Sequence, residues 1–249
     1  MRSTVNGGRR VVVDNLIYYV DAANPVSYIS GNTECNDLSI TSSNGLLENG
    51  VDYELDNKGA WVFDGINDKI VSELKDPFNF GVSDPFSIDL WFNPIDTSIN
   101  SMLVSKWKPN DSSTTTRGYY LGLILLGSPS RVKLRFSFFK TNTEFIAFNI
   151  EEVILDNTWY HAVLTYDGSG NASGSNIYLD GSLRAKTISR DNLVSPATTD
   201  VNLQVGGQGN SFSGFFGLKG YISNVKVYNK ELTPSEVLQN YNVLKYRFR

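Results

Sequence analysis

One cysteine, Cys35, and one histidine, His161, are all that 249 residues supply of the side chains that most often hold zinc or exchange protons near neutral pH. A lone cysteine excludes an internal disulfide and any zinc site built from linked cysteines and histidines. Long apolar runs are missing too. The stretch "VVVDNLIYYV" (11–20) is too short and too interrupted to cross a bilayer, and "MRSTVNGGRR" has no apolar signal-peptide core. The expectation is a chain made in the cytoplasm, with no membrane partner. Nor is there an excess of positive charge: 22 Lys and Arg face 26 Asp and Glu, a net charge of -4. That balance gives no general attraction to phosphate backbones, so nucleic acid is not an expected partner.

What is present is material for a packed core. Hydrophobic residues make up 41%, aromatics 12% and charged residues only 19% of the chain, which excludes disorder. The length suits one large β-domain. The dominant period is two. In "FSIDLWFN", Phe86, Ile88, Leu90 and Phe92 share one face, opposite Ser87, Asp89, Trp91 and Asn93. In "VKLRFSFF", Val132, Leu134, Phe136 and Phe138 do the same. Further strands are expected over 16–20, 61–63, 119–126, 145–150, 159–166, 176–179, 184–188 and 201–205.

Turn signals separate these runs. Asp64-Gly65, Asp167-Gly168 and Asp180-Gly181 offer positive φ angles, and "YLDGSLRAKT" reads as a tight hairpin. "GSPS" (127–130) reverses the chain, and "KPNDSSTTTRG" (108–118) reads as the longest open loop. The apolar phase slips between Ile222 and the pair Val225 and Val227, as a β-bulge requires. One helix is expected, over 234–245. Thr233 is its N-cap, Pro234 its first residue and Glu236 the return partner of a capping box, with Leu238, Tyr241 and Leu244 on one face and Val237 beside them.

Taken in order, "LIYYVDAANPVSY", "WVFDGINDKI", "FSIDLWFNP", "NTWYHAVLTYDGSG", "IYLDGSL", "LQVGG" and "GLKGYISNVKVYNKELTPSEVLQNY" resemble the laminin-G-like branch of the concanavalin A-like lectin and glucanase superfamily. The resemblance spans residues 14 to 244 and implies an all-β, two-sheet antiparallel jelly roll with a short C-terminal helix. The expected organisation is an N-terminal arm, 1–13, then one domain, 14–249, that ends in a basic tail. The opening "GGRRVVVDNLIYYVDAANPVSY" is also similar to that of laminin-G-like proteins of tailed-phage virions.

Function has to come from a site, because this fold serves several tasks. Retaining glycosidases need two carboxyl groups about 5–5.5 Å apart. Here Asp89 stands alone in its strand, and Glu151 and Glu152 are adjacent, so a strand would point them apart. His161 shares a face with Trp159, Val163 and Thr165, as a structural histidine does, and its pairing with Cys35 as base and nucleophile has no local motif behind it. The glycine-rich "GGQGNSFSG" (206–214) lacks the lysine of a phosphate loop. No catalytic residue and no cofactor motif is assigned. Asp64, Asn67 and Asp68, with Asp167 approaching in space, are candidate calcium ligands, although Asp-Gly and Asn-Asp are also simple turn chemistry.

Sugar binding calls for aromatic platforms, for which Trp91, Trp107, Trp159, Tyr119 and Tyr120 are available; Trp107, beside the serine-threonine loop, is the best exposed candidate, whereas Trp61, Trp91 and Trp159 lie in strand patterns. Arg2, Arg9, Arg10, Val11, Val12 and Val13 are candidate assembly contacts, with Lys245, Arg247 and Arg249 as a second basic end. Loss of residues 1–13 is expected to spare the fold and prevent incorporation into a particle. The expected function is a non-enzymatic virion structural protein of a tailed phage, a decoration, tail or fibre component. It would be made in the host cytoplasm and exposed on the particle, with other virion subunits or its own copies as partners and glycans as ligands. A free carbohydrate-binding module and a glycosidase are the alternatives.

Overall fold

The computed structural model describes residues 10–56, 58–108, 116–127, 131–195, 198–208 and 216–248. Arg2, Arg9 and Arg249, most of the expected 108–118 loop and residues 209–214 of the glycine-rich stretch lie outside that set. The period-two runs assemble into two antiparallel sheets. Across the eight-stranded sheet the order is Ser182–Leu183, Ser175–Leu179, Tyr160–Tyr166, Phe86–Pro94, Lys219–Tyr228, Ala60–Asp64 and Asp52–Glu54, with Leu16–Asp21 also paired to Lys219–Tyr228. The nine-stranded sheet runs Lys186–Asp191, Phe145–Ile150, Arg131–Phe139, Arg117–Leu126, Ser101–Lys108, Gln204–Val205, Lys69–Ser72, Gly45–Glu48 and Glu34–Cys35. Their facing sides make one core, in which Phe86 meets Phe136 and Phe138 edge-on at centroid distances of 6.2 and 5.8 Å. The expected bulge is present: the pairing of Lys219–Tyr228 with Phe86–Pro94 slips between Ile222 and Asn224.

Two expectations need correction, on the strand Phe86–Pro94 and on the arm, and the strand Ser101–Lys108 is not among those expected. The strand Phe86–Pro94 is buried on both faces, not one, because the helix Pro234–Leu244 and the segment around Val12 cover its second side. The strand Ser101–Lys108 has no clean alternation to betray it, since its register shifts between Met102 and Val104. The arm is not free up to residue 13: Val12 is 6% exposed and packs with Leu16, Val163, Tyr228 and Val237, while Arg10 and Val13 are exposed and Val11 is half-buried.

The helix begins as its capping box dictates, with Thr233 Oγ1 accepting from the Glu236 N–H at 3.3 Å and Glu236 Oε2 accepting from the Thr233 N–H at 2.9 Å. Its inward residues are Val237 and Asn240, however, and Leu238 is 47% exposed. The basic tail is also tied down. Arg247 donates to the carbonyls of Lys58 and Gly59, each at 2.6 Å, and to Ser223 Oγ, and it pairs with Asp21 at 2.8 Å. Phe248 stacks on Trp91 with centroids 4.1 Å apart.

The Asp180-Gly181 turn holds this cover in place. Both residues have positive φ, 53° and 77°, the type I′ geometry that matches the twist of a two-residue hairpin. A Cβ on Gly181 would lie 2.9 Å from Tyr241 Cδ1 in the helix above. Gly181→Val is therefore expected to cost about 2 kcal/mol, through the left-handed backbone and the displaced ring together. Equilibrium denaturation measures it, and a loss below about 0.5 kcal/mol would contradict the packing described.

Candidate functional site

The outer face of the nine-stranded sheet carries the aromatic candidate. Pairing register places Trp107, Gly118, Phe139 and Phe145 in one row across four strands. The next row is Gln204, Ser105, Tyr120, Ser137, Ala147 and Arg190, and a third holds Met102, Gly122, Arg135 and Asn149. Trp107 is half-buried and lies 5.3 Å from Tyr120, 6.1 Å from Phe139 and 6.4 Å from Phe216, centroid to centroid. Phe139 stacks on Phe145 at 4.7 Å, and the Arg190 guanidinium sits 5.3 Å from the Phe145 ring. Gly118 gives the row its gap, because a Cβ there would strike the Lys106 carbonyl. The groups this strip offers to solvent are the half-buried Trp107, Phe139 and Phe145, with half-buried Arg135 and exposed Arg190 beside them, whereas Tyr120, Ser105, Ser137 and Asn149 are buried beneath. Aromatic rings beside guanidinium donors match a saccharide, apolar on its ring faces and hydroxylated at its edges.

Tyr120 is among the aromatic residues the sequence offers as platforms, and Tyr119 beside it is buried in the core; Phe139 follows the inward residues of the 132–138 strand in outward phase, and Phe145 opens a strand expected over 145–150. The convergence of Tyr120, Phe139 and Phe145 on Trp107 depends on a register that only pairing reveals. The other tryptophans are engaged elsewhere. Trp61 is fully buried in the core, Trp91 lies against Phe248, and Trp159 also packs against that ring, tilted, with centroids 4.7 Å apart.

The remaining candidates resolve into structure. In the 64–68 turn, Asp64 Oδ1 accepts from the N–H of Ile66 at 2.7 Å, and Asp68 Oδ2 accepts from the Asp64 N–H at 3.0 Å. These are turn hydrogen bonds, and Asp68 Oδ1 is the buried side-chain oxygen of this turn without a partner among the described residues. Asp167 does not approach them. It follows Tyr166, which pairs with Phe86 at one end of the strand Phe86–Pro94, whereas Asp64 pairs with Lys219 beyond Pro94 at the other. Eight residues of strand separate them, roughly 25 Å at about 3.3 Å each. No three carboxylate, cysteine or histidine side chains converge on a metal position among the described residues.

Cys35 and His161 lie in different sheets, and burial pushes the Cys35 thiol up to about 12, so the two form no nucleophile and base. His161 instead belongs to a buried polar cluster beneath the helix. Asp89 Oδ1 pairs with Lys226 Nζ at 3.0 Å, and Asp89 Oδ2 lies 3.2 Å from His161 Nε2, with all three side chains wholly buried. Burial alone would raise the Asp89 carboxyl, but Lys226 and His161 beside it hold it well below the usual carboxylate range. Asn240 Nδ2 donates to Asp89 Oδ2 at 2.8 Å and to the Tyr228 hydroxyl at 2.9 Å. Asn240 Oδ1 accepts from the Val12 N–H at 2.8 Å, and the Tyr228 hydroxyl donates to the Val12 carbonyl at 3.0 Å. With its charged groups closed to solvent, this cluster fixes the helix and the Val12 segment to the sheet.

A family model of the laminin G type, described as the concanavalin A-like lectin/glucanases superfamily, matches residues 64–238. The chain belongs to that superfamily. Among solved structures, this superfamily member is similar to the binding domain of Paraclostridial Mosquitocidal Protein 1, at TM-score 0.63 and 16% identity over 92% of this chain and 52% of that one. It is similar to the binding domain of Botulinum neurotoxin DC in complex with rat synaptotagmin II, at 0.64 and 15% over 93% and 52%. A third is domain 4 of an extracellular arabinanase from Geobacillus stearothermophilus in complex with arabinotriose, at 0.59 and 16% over 91% of this chain and 98% of that domain. The chain spans about half the length of the two toxin binding domains. No curated protein matches it in sequence.

Proposed function

We propose that this chain is a glycan-recognising jelly-roll module that binds without cleaving, displayed on the particle of a tailed phage. The row Trp107, Phe139 and Phe145, with Tyr120 beside it, carries the binding half of that reading. It is supported by the arabinotriose complex of a domain that this chain covers almost end to end. The non-enzymatic half is supported by the make-up of the three rows around Trp107, in which no carboxylate stands. Glu151 and Glu152 lie just past the strand Phe145–Ile150, and Glu152 is held by Arg184 at 2.8 Å. Glycan-array binding by the purified chain tests the reading. Trp107→Ala is expected to weaken the best ligand at least tenfold, about 1.4 kcal/mol, in a chain that still folds, as an unchanged far-ultraviolet dichroism spectrum would show. An array without binders, or a Trp107→Ala variant that binds as well as its parent, would overturn it.

The virion half rests on the similarity of the opening residues 7–28 to laminin-G-like phage proteins and on exposed Arg10 and Val13 beside the covered sheet. Its partners are then other virion subunits or further copies of the chain. Recovery as a stoichiometric component of purified particles supports it. A secreted, particle-free protein with the same glycan affinity would favour the second reading, a free carbohydrate-binding module, which the arabinanase domain favours.

A further inference from the structure

One residue beyond Trp107 and Gly118, at the rim of the sandwich, lies a cavity of about 560 Å³. Three cations line it, Lys75, Lys108 and Arg117, with two carboxylates, Asp76 and Asp200. Asp200 is already engaged by Lys108 at 3.0 Å, whereas Lys75 and Arg117 have no ion-pair partner among the described residues. Beneath the lining is a fourth cation. Lys106 is 1% exposed, and its ammonium donates to the carbonyl oxygens of Thr199, at 3.4 Å, and Val201. Those partners are neutral, so its charge adds to the field of the cavity, where four cations stand against two carboxylates. Burial lowers the Lys106 pKa to about 8, as expected of an ammonium with no anion in contact. Thr199, also in the lining, is 7% exposed, and its hydroxyl has no hydrogen-bond partner among the described residues. A buried hydroxyl left unpaired beside surplus positive charge is the complement of an anionic oxygen.

We infer that this rim cavity is the subsite for the anionic group of an acidic saccharide, a further ring of which lies over the rim on the Trp107 strip. The inference rests on the glycan-binding reading and names its ligand class. Trp107 faces outward, whereas strand alternation sets Lys108 and its partner Arg117 on the opposite side at the end of the sheet, so a saccharide reaches both by bending over the rim and needs several units to do so. The Arg117 guanidinium offers paired donors to a carboxylate or a sulfate, and the Thr199 hydroxyl completes the contact.

The test is an array of carboxylated, sulfated and neutral oligosaccharides, followed by titration with the best charged ligand and with its methyl-esterified or desulfated form. Charged ligands are expected to lead, and neutralising the ligand is expected to weaken binding about tenfold. Arg117→Gln combined with Lys75→Gln should reduce the charged ligand to the level of its neutral form and leave the neutral form unchanged. Whether carboxylate or sulfate leads identifies the anion. Should that variant fold poorly, the parent protein serves, because its affinity for the charged ligand must fall with added salt while the neutral form's does not. Equal affinity for charged and neutral forms overturns the subsite and leaves the Trp107 reading standing. An array with no binder at all overturns both.

Discussion

Asp89→Asn is expected to destabilise the folded chain by about 3–5 kcal/mol, because it leaves the ammonium of Lys226 buried without its counter-charge. Lys226 retains Asn224 Oδ1 at 2.7 Å and the Tyr19 ring at 5.2 Å, contacts too weak to replace a carboxylate in a site closed to water. For a chain of this size the loss amounts to about 10 °C in Tm. Chemical denaturation of the single variant and of Asp89→Asn with Lys226→Met separates a charge effect from a packing effect. The double variant should recover much of the loss, since removing both charges also removes the cost of burying them. A single variant within about 1 kcal/mol of its parent would show that Asp89 does not hold the cluster.

The same pair makes a pH prediction. Asp89 has a folded-state pKa held below its unfolded value, so its contribution is fully present above the ordinary carboxylate range and is lost as pH falls through that range and below. The parent protein should therefore lose more stability between about pH 4 and pH 2 than the Asp89→Asn variant does. Parallel acid profiles for the two would contradict the assignment.

This cluster also marks where the sequence stopped being legible. Alternation in "FSIDLWFN" correctly assigned Ile88 and Leu90 to the core, and the same rule assigned Asp89 to solvent. Hydrophobic patterning reads one buried face well, because apolar residues announce it. It misreads a second buried face built from Asp89, His161, Lys226 and Asn240, whose burial is offset by mutual pairing between strands far apart in sequence. Leu238 and Asn240 fail for the same reason: on the helix, the polar residue faces in to meet Asp89 and the leucine faces out. The capping box, by contrast, spans Thr233 to Glu236, and the Asp180-Gly181 turn is two residues long, so each is specified locally. At the binding face, Trp107 was visible as a residue type. Tyr120 was visible beside it as an aromatic type, but its grouping with Trp107, and the addition of Phe139 and Phe145, came only through the register of four strands.

Removing residues 1–13 is expected to cost about 3–6 kcal/mol, and removing residues 1–9 is expected to cost less, because it spares Arg10 and Val12. The difference is Val12. Its side chain contributes about 1.5–3 kcal/mol by burial against Val163, Tyr228 and Val237. Its backbone supplies the N–H that Asn240 Oδ1 accepts and the carbonyl to which the Tyr228 hydroxyl donates. Deleting the segment leaves the Asn240 Oδ1 acceptor without a donor and the Tyr228 O–H without an acceptor next to the Asp89 pair, each costing about 1–3 kcal/mol unless water enters, and water entering would loosen the helix. The shorter deletion keeps all of these contacts, including the Arg10 carbonyl that accepts from Gln239 Nε2 at 2.8 Å. Comparing the two truncations by denaturation and by incorporation into particles therefore separates folding from assembly. If the arm makes assembly contacts, the 1–9 deletion should fold normally and fail to incorporate. A 1–13 deletion as stable as the full chain would mean that Val12 does not close the sheet, and the Asp89 cluster would have to be sealed by the helix alone.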